Sequence, residues 1–279
     1  MTRSKQSEGG RPAAFFDLDK TLMAGSSGIH FGRAAARSGI VNRRQMARWG
    51  LENLRFRLRG ATDDQSEALI AQIKELLKGV RERDLAWMAP EVLAAIIPRI
   101  YPQMLDEVRS HQQEGRPVFI VSAAGNELVS MLAYVLAMDG GIGTAYAVGP
   151  DGRMTGELDG PFMYGEGKVE AMRRFAEEHG IDLGSSFAYS DSASDLPMLR
   201  AAGTAVVVNP DAALAEIARR EGWRVMRFEK LGRRLAIAAA TFTAAAVGWS
   251  GSMLASRRRP QRPSARRRGR RQRGPTAWW

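Results

Sequence analysis

Two aspartates at the end of a short apolar run are the residues of this sequence best suited to chemistry. Asp17 and Asp19 follow residues 13–16 and stand one residue apart. In an extended strand this spacing places both carboxylates on one face, where their charges repel each other. A bound divalent cation explains both residues, and so does an arrangement in which one carboxylate attacks and the other carries a proton. The pair therefore predicts a catalytic or metal site.

Further polar residues stand where other strands end and where a helix begins. Ser122 ends one apolar run, Asp191 and Asp195 follow another, and Lys168 stands at the start of a predicted helix. Because the carboxyl ends of parallel strands meet at one edge of a sheet, these groups are expected to converge. Taken singly, each also suits a structural role, such as a helix cap. Their joint placement favours a site, since caps do not require it.

Strands that alternate with helices must hold these residues in place. Strands are predicted at 13–18, 117–122, 187–190, 205–208 and 224–228. Helices are predicted at 101–114, 126–138, 168–179 and 195–202, and another behind a capping Asp211. This order is typical of an α/β fold: a Rossmann-like parallel sheet flanked by helices and joined by right-handed crossovers.

Two glycine-containing segments interrupt this alternation. The turn residues 149–152 lie between 145–148 and 154–157, which predicts a β-hairpin. The run 140–143 follows a helix rather than a strand, and we interpret it as a turn and not as a phosphate-binding loop.

A long segment after the aspartate pair has helical periodicity. Residues 24–30 are predicted to form a flexible connection, and 31–100 a helical region. Breaks are expected at Ser38, Gly60 and Pro90. Thr62 and Gln65 resemble a capping box before an apolar helix. The segment predicts an all-α insertion.

Together these residues resemble the haloacid dehalogenase superfamily, in its phosphoserine-phosphatase-like branch. The resemblance covers residues 13–228. The matching motifs are DxDxT at 17–21, a strand ending in Ser122, Lys168 within 165–168, and SDSASDLPML at 190–199. The resemblance implies a catalytic core formed by 13–23 and 101–230, with a helical cap formed by 24–100.

The resemblance also implies a Mg²⁺-dependent phosphatase that cleaves a phosphomonoester through an aspartyl-phosphate. Asp17 is expected to be the nucleophile and a metal ligand. Asp19 is expected to act as the general acid and base, and its backbone carbonyl as a second metal ligand. Lys168 would place its charge on the phosphoryl oxygens.

The remaining family positions are assigned to the metal and the substrate. Asp191 would complete the metal site, and Asp195 would hold the metal waters or orient Lys168. Expected substrate-binding residues are Thr21, Ser122, Ala123 and Ser194.

Two departures from the family leave the substrate open. Residues 22–28 lack the acid that usually grips the substrate amine, and Ser194 replaces the usual asparagine. A phosphoserine-like small metabolite and a lipid phosphate at a membrane are both retained as substrates. Phosphoryl transfer to an acceptor other than water stays open as a reaction, and a catalytically inactive, tethered binding module stays open as a function.

Arginines in the insertion are candidates for binding a substrate carboxylate or a second phosphate, although a solvated helical face is the competing interpretation. They are Arg33, Arg37, Arg43, Arg44, Arg48, Arg55, Arg57 and Arg59.

The C-terminal region differs in composition from the rest of the chain. Residues 235–254 carry no charge and are long enough to cross a bilayer, so 231–256 is predicted to be a hydrophobic helix, either membrane-associated or buried. Ten arginines and no acid occur in 257–279. This tail suits an anionic membrane surface or nucleic acid, or is a disordered tail without a partner.

Composition excludes several classes of protein. The chain of 279 residues has no cysteine, which removes disulfides and thiolate chemistry. Of the net charge of +11, ten units belong to the tail, so residues 1–256 are nearly neutral. Residues 1–12 lack an apolar signal region and are expected to be a disordered leader of a cytoplasmic protein, with peripheral or anchored attachment to the inner face of the cell membrane as the alternative.

Overall fold

The computed structural model describes residues 10–41 and 63–228. The strands and helices, in chain order, are β1 (Ala14–Phe16), α1 (Ser27–Arg37), α2 (Asp63–Leu77), α3 (Glu82–Ile96), α4 (Pro102–Gln113), β2 (Val118–Gly125), α5 (Asn126–Val135), β3 (Gly140–Thr144), β4 (Tyr146–Val148), β5 (Met154–Leu158), α6 (Glu166–His179), β6 (Phe187–Ser190), α7 (Leu196–Ala201), β7 (Thr204–Val208), α8 (Ala212–Glu221) and β8 (Arg224–Met226). Short 3₁₀ helices lie at Ile97–Arg99, Leu183–Ser185 and Ala193–Asp195.

Six strands form one parallel sheet in the order β3-β2-β1-β6-β7-β8. The chain builds one half outward from β1 to β3 and the other outward from β6 to β8. The strand order therefore reverses between β1 and β6. In open parallel sheets, binding sites form beyond the carboxyl ends of the strands at such a reversal. The predicted α/β fold with a parallel sheet is confirmed.

Apolar residues cover the sheet, which is why its strands read as continuous apolar runs. On one face Phe15, Phe119 and Val207 belong to a cluster with Met172 of α6 and Leu199 of α7. All five are buried. This packing holds β1, which has only three residues, in the middle of the sheet.

A hydrogen-bonded chain on the opposite face joins β6 to α4. Arg116 Nε donates to His111 Nδ1 at 2.7 Å, so the imidazole proton is on Nε2 and is donated to the Tyr189 hydroxyl at 2.8 Å. Tyr189 donates in turn to Glu107 at 2.9 Å. Burial and the nearby Arg116 lower the pKa of His111 to about 4, so the ring is neutral at pH 7.

The same series of hydrogen bonds extends to the edge of the sheet and to its centre. Glu107 accepts two hydrogen bonds from Arg224 of β8, at 2.9 and 2.7 Å. The Tyr189 ring stacks on Phe16 of β1, with 4.2 Å between centroids. The two strands at the reversal of the sheet are thus fixed against each other just before their carboxyl ends.

The prediction that residues 140–143 form a turn is wrong. They belong to β3, an edge strand paired in parallel with β2. Helix α5 packs so closely on this strand that a Cβ at Gly141 would lie 2.7 Å from Val129 Cγ1, and one at Gly143 only 2.6 Å from Asn126 Cα. Glycine at these two positions leaves room for α5 to pack against the strand. Because glycine is uncommon in strands, the sequence does not show the pattern typical of a strand here.

Two expectations for the helical insertion also need correction. Residues 27–30, expected in a flexible connection, form the first turn of α1. Pro90 does not interrupt a helix but lies inside α3, where buried neighbours such as Val92 and Ile96 hold the helix in place. The break at Ser38 is confirmed, since α1 ends there. Gly60, Thr62 and the Gln65 side chain lie outside the described residues.

Several local predictions are confirmed. β4 and β5 form the antiparallel hairpin. Asp211 caps α8, its Oδ1 accepting from the Leu214 N–H at 2.8 Å.

The hairpin is attached to the end of α2, because the Gly79 N–H donates to the Met154 carbonyl and the Met154 N–H donates to the Val80 carbonyl, both at 2.8 Å. The hairpin thus packs with the helical insertion.

Ordered structure begins before the expected end of the leader. Arg11 donates its N–H to the Gly180 carbonyl at 3.0 Å and accepts from the Asp182 N–H at 3.1 Å. Among the described residues, no helix combines the length and hydropathy needed to span a bilayer. Segments 231–256 and 257–279 lie outside the described residues, so the interpretations offered for them stay predictions.

Candidate active site

The aspartates of the two motifs meet where the strand order reverses. Asp17 directly follows β1 and Asp191 directly follows β6, and both side chains are buried. The Asp17 N–H donates to the Tyr189 carbonyl at 2.9 Å, which extends the pairing of β1 and β6 to the site itself. Strand register, rather than loop conformation, therefore positions the two carboxylates.

Lys168 lies in the first turn of α6 and joins the motifs. Its Nζ donates to Asp17 Oδ1 at 2.7 Å and to Asp195 Oδ2 at 2.9 Å. The lysine is 3% exposed. Burial disfavours the ammonium, but attraction to the two carboxylates outweighs it and raises the pKa of Lys168 above its ordinary value. Lys168 is thus a fixed positive charge beside Asp17.

The Asp195 carboxylate is hydrogen-bonded to the Lys168 ammonium. The same Oδ2 that accepts from Lys168 also accepts from the Ser190 hydroxyl at 2.7 Å. Of the two roles expected for Asp195, orienting Lys168 is the one that these contacts support. Ser190 was not among the predicted site residues, although its place directly before Asp191 could have indicated it.

The buried carboxylates carry more negative charge than Lys168 neutralises. Burial, together with Asp195 and Asp191, raises the pKa of Asp17 to about 7, against the opposing effect of Lys168. Burial raises the pKa of Asp191 to about 6, although Lys20 opposes it. Lys20 Nζ lies 3.5 Å from Asp191 Oδ2 and is half exposed. Both directions mean that the ionised carboxyl groups are disfavoured in the buried site, which a bound cation would offset.

The donor set fits a hard cation with few protein ligands. Within the described residues, no three His, Cys, Asp or Glu side chains are grouped to hold a metal ion. A cation at Asp17 and Asp191 would therefore take further oxygens from a backbone carbonyl or water. Mg²⁺ binds in this way, through one or two carboxylates and several waters. The buried Thr21 hydroxyl, which has no hydrogen-bond partner in the described residues, is a further polar atom near these acids in sequence.

Asp19 is tied to the start of the helical insertion. Its Oδ2 accepts from the Ser26 hydroxyl at 2.9 Å and its Oδ1 from the Ser27 N–H at 2.8 Å. Ser27 is the first residue of α1. Each carboxylate oxygen accepts one hydrogen bond and keeps a second lone pair, so Asp19 can transfer a proton while it holds the start of α1. The sequence did not indicate these contacts.

The predicted substrate-binding residues have polar surroundings of different kinds. Ser122 lies in β2, and its Oγ accepts from the Ala124 N–H at 3.2 Å. The Ala123 carbonyl accepts from Thr144 Oγ1 at 3.0 Å. Ser194 Oγ lies 2.9 Å from Ser192 Oγ, within the turn that presents Asp195.

We expect Gly167→Ala to destabilise the protein by about 1–3 kcal/mol, the usual cost of forcing extra atoms into a packed site. A Cβ at Gly167 would lie 2.1 Å from the Phe162 carbonyl oxygen, so the start of α6 must move. Urea denaturation measures the effect. Glu166→Ala, at the exposed neighbouring position, is the control and should leave the free energy of unfolding nearly unchanged. Equal stability of the two variants would contradict the close approach.

Known proteins are similar to this chain in sequence. A model of the haloacid dehalogenase-like hydrolases matches residues 14–200. The chain is 38% identical over 221 residues to the "inhibition of morphological differentiation protein" of Streptomyces azureus, covering 79% of each chain. It is 35% identical over 251 residues to the phosphoserine phosphatase SerB1 of Mycobacterium tuberculosis, covering 88% of this chain and 80% of that one.

A solved structure agrees with the fold. A protein of unknown function from Bordetella pertussis Tohama I matches with a TM-score of 0.68 and 30% identity, covering 78% of this chain and 98% of that chain. The chain therefore belongs to the haloacid dehalogenase-like hydrolases and is a phosphatase that resembles the phosphoserine phosphatases of that family.

Proposed function

We propose that this protein hydrolyses a phosphomonoester, with Mg²⁺, through a phosphorylated Asp17. The observation that carries the proposal is the position of Lys168, which joins Asp17 and Asp195 beside Asp191. Phosphoryl transfer needs an in-line nucleophile and positive charge on the equatorial oxygens, and this cluster offers both. An inactive binding module has no use for such an array.

In the first half of the reaction, a carboxylate oxygen of Asp17 attacks phosphorus as the bond from phosphorus to the ester oxygen breaks. Asp19 gives a proton to the departing alkoxide. Lys168 holds Asp17 in place and offsets charge on the phosphoryl group. In the second half, Asp19 takes a proton from water, the water oxygen attacks phosphorus, and the bond to Asp17 breaks.

The residues that would hold Mg²⁺ are Asp17 and Asp191 through their carboxylates and Asp19 through its carbonyl. When bound, the ion supplies positive charge for the phosphoryl oxygens. Asp195 would act on the site through Lys168.

The substrate is proposed to be a small phosphorylated molecule held by Ser122, the backbone at Ala123, Thr21 and Ser194. The name of the SerB1 relative, a phosphoserine phosphatase, supports this size and class. Segment 24–100, which contains α1–α3, is proposed to form a cap over the catalytic core of 13–23 and 101–230.

Release of phosphate from p-nitrophenyl phosphate by the full chain tests the proposal. We expect turnover with Mg²⁺ and none with EDTA. Because Asp191 supplies one of two carboxylates, Asp191→Asn should raise the Mg²⁺ concentration for half-maximal rate by at least about tenfold, as losing a charged contact does.

Asp106→Asn is the matched control, since Asp106 is an exposed aspartate of α4. It should keep the wild-type Mg²⁺ dependence. Turnover that persists in EDTA, or an Asp191 variant with the wild-type Mg²⁺ requirement, would refute the metal-dependent reaction.

A further inference from the structure

The part of β2 that carries Ser122 leaves the regular pairing of the parallel sheet. Val121 of β2 is paired with Ile142 of β3. The next pair is Gly125 with Thr144, so three residues of β2 lie opposite one residue of β3. Such bulges redirect side chains and are frequent beside active sites. Because this bulge contains Ser122, its shape decides where the hydroxyl proposed to bind the phosphate lies.

Side chains bond to backbone groups that the bulge takes out of the regular ladder. Thr144 Oγ1 donates to the Ala123 carbonyl at 3.0 Å. Asn126 Oδ1 accepts from the Gly143 N–H at 3.1 Å. A Cβ at Gly143 would lie 2.9 Å from the Ala124 carbonyl oxygen, so glycine leaves room here for the bulged backbone. The bulge is therefore held by specific partners.

The Thr144 hydroxyl is connected to Ser122 through a single peptide group. The Ala123 carbonyl, which accepts from Thr144, and the Ala124 N–H belong to the same planar unit. That N–H donates to Ser122 Oγ at 3.2 Å. Because the unit is planar, a partner that fixes the carbonyl also fixes the direction of the N–H. Ser122 Oγ thus accepts from an oriented donor and keeps its own hydrogen to donate to a phosphate oxygen.

The same hydroxyl is bonded to the segment that leads into α6. Thr144 Oγ1 accepts from the Met163 N–H at 3.3 Å, and Met163 stands three residues before the helix that carries Lys168. Both Thr144 and Met163 are buried. Without the hydroxyl, the Ala123 carbonyl and the Met163 N–H would lose this partner, which is costly for backbone groups away from water. One hydroxyl therefore connects the bulge to the approach of Lys168.

We propose that Thr144 is a positioning residue for phosphate binding, which acts by holding the peptide group that orients the Ser122 hydroxyl. The inference rests on the proposed function and deepens it, because it names a residue outside the predicted site on which the site depends. The single hydroxyl hydrogen of Thr144 is donated to the Ala123 carbonyl, so Thr144 acts on the phosphate only through its neighbours.

Two substitutions at position 144 test the proposal, with inorganic phosphate as the probe. Thr144→Val keeps the shape of the side chain and removes the hydroxyl, whereas Thr144→Ser keeps the hydroxyl. For the full chain with Mg²⁺, we expect Thr144→Val to raise the Ki of phosphate and the KM for p-nitrophenyl phosphate by about tenfold, the effect of one hydrogen bond to a charged group. Thr144→Ser should restore both constants to near the wild-type values.

Thr155→Val is the matched control. Thr155 Oγ1 donates to the Ala147 carbonyl at 3.2 Å and accepts from the Glu157 N–H at 3.1 Å. This is the bonding pattern of Thr144, but Thr155 is exposed and lies in the β4–β5 hairpin. The control should leave the Ki of phosphate and the KM unchanged.

The variant Ser122→Ala shows whether Thr144 acts through Ser122. Effects of residues that share one series of hydrogen bonds are not additive. In the Ser122→Ala background, Thr144→Val should therefore add little to the Ki of phosphate, since the hydroxyl that it orients is already absent. The same rise in both backgrounds would show that Thr144 does not act through Ser122.

The outcomes separate the two proposals. The positioning role is wrong, and the proposed function stands, if the wild type is active but Thr144→Val keeps its Ki, Thr144→Ser does not restore it, or Ser122→Ala leaves the effect undiminished. Thr144→Ala replaces Thr144→Val if the latter does not fold. If neither folds, the hydroxyl serves the fold and the positioning role is wrong. If the wild type does not hydrolyse p-nitrophenyl phosphate with Mg²⁺, both proposals fail.

Discussion

Asp17→Asn should reduce phosphate release by at least about 10³-fold, because the amide cannot form the proposed bond to phosphorus and removing a nucleophile costs this much or more. The same substitution should not destabilise the protein. Burial is the main cause that raises the pKa of Asp17 to about 7, so the ionised side chain is disfavoured in the fold. Asparagine keeps an oxygen that can accept from Lys168.

The raised pKa of Asp17 predicts how the effect of this substitution on stability changes with pH. A carboxyl whose folded pKa lies above its ordinary value of 3.8 makes the folded state bind protons more tightly than the unfolded state. In the absence of divalent cations, its contribution to stability therefore falls as the pH rises from about 4 to about 7. At pH 8 the variant should melt at or above the wild-type Tm, and the difference should shrink at pH 4.

Calorimetry in EDTA at pH 4 and pH 8, together with phosphate release at pH 8, measures both effects. Asp106→Asn should change neither. An Asp17 variant that melts well below the wild type at pH 8 would show that the interaction with Lys168 outweighs burial. A variant with near wild-type turnover would refute the role of Asp17 as nucleophile.

Lys168→Met should abolish turnover and lower the free energy of unfolding by about 3–5 kcal/mol, the usual cost of breaking a buried ion pair. Methionine matches the length of the lysine stem, but it leaves the Asp17 and Asp195 carboxylates buried and uncompensated. Urea denaturation at pH 8 measures the loss.

Two comparisons make this prediction specific. Lys74→Met removes a lysine paired with Glu157 at the surface and should cost less than about 1 kcal/mol, as exposed pairs do. Adding Asp195→Asn to Lys168→Met should recover part of the stability but none of the turnover. Equal losses for the two lysine variants would contradict the structural importance of the buried ammonium.

The central part of the site was predictable because its residues follow directly from strand ends. Asp17 and Asp191 each come one residue after a buried strand, and parallel pairing then leaves no freedom in where they meet. Lys168 was predictable because a helix start in a crossover reaches the same edge. The positions of the strand ends are visible in the sequence, whereas the strand order that brings these three groups together comes from the structure.

Other features depend on contacts that no local pattern records. Gly141 and Gly143 read as turn residues, yet they form a strand because α5 presses on them. The start of α1 was missed because its first turn is fixed by Asp19, a residue outside the helix. Lys20 has a backbone φ of 58°, which glycine adopts more easily, and its ammonium lies 3.5 Å from Asp191 Oδ2.

Glu107 accepts hydrogen bonds from Tyr189 in the sheet interior and from Arg224 on the outermost strand. One carboxylate therefore links the last strand, β8, to the strand that precedes Asp191, although β7 lies between them in the sheet. When β8 opens locally, Glu107 loses its hydrogen bonds from Arg224, and Glu107 is the group that accepts from the Tyr189 hydroxyl. Local unfolding at this edge is in this way coupled to the order of the catalytic centre.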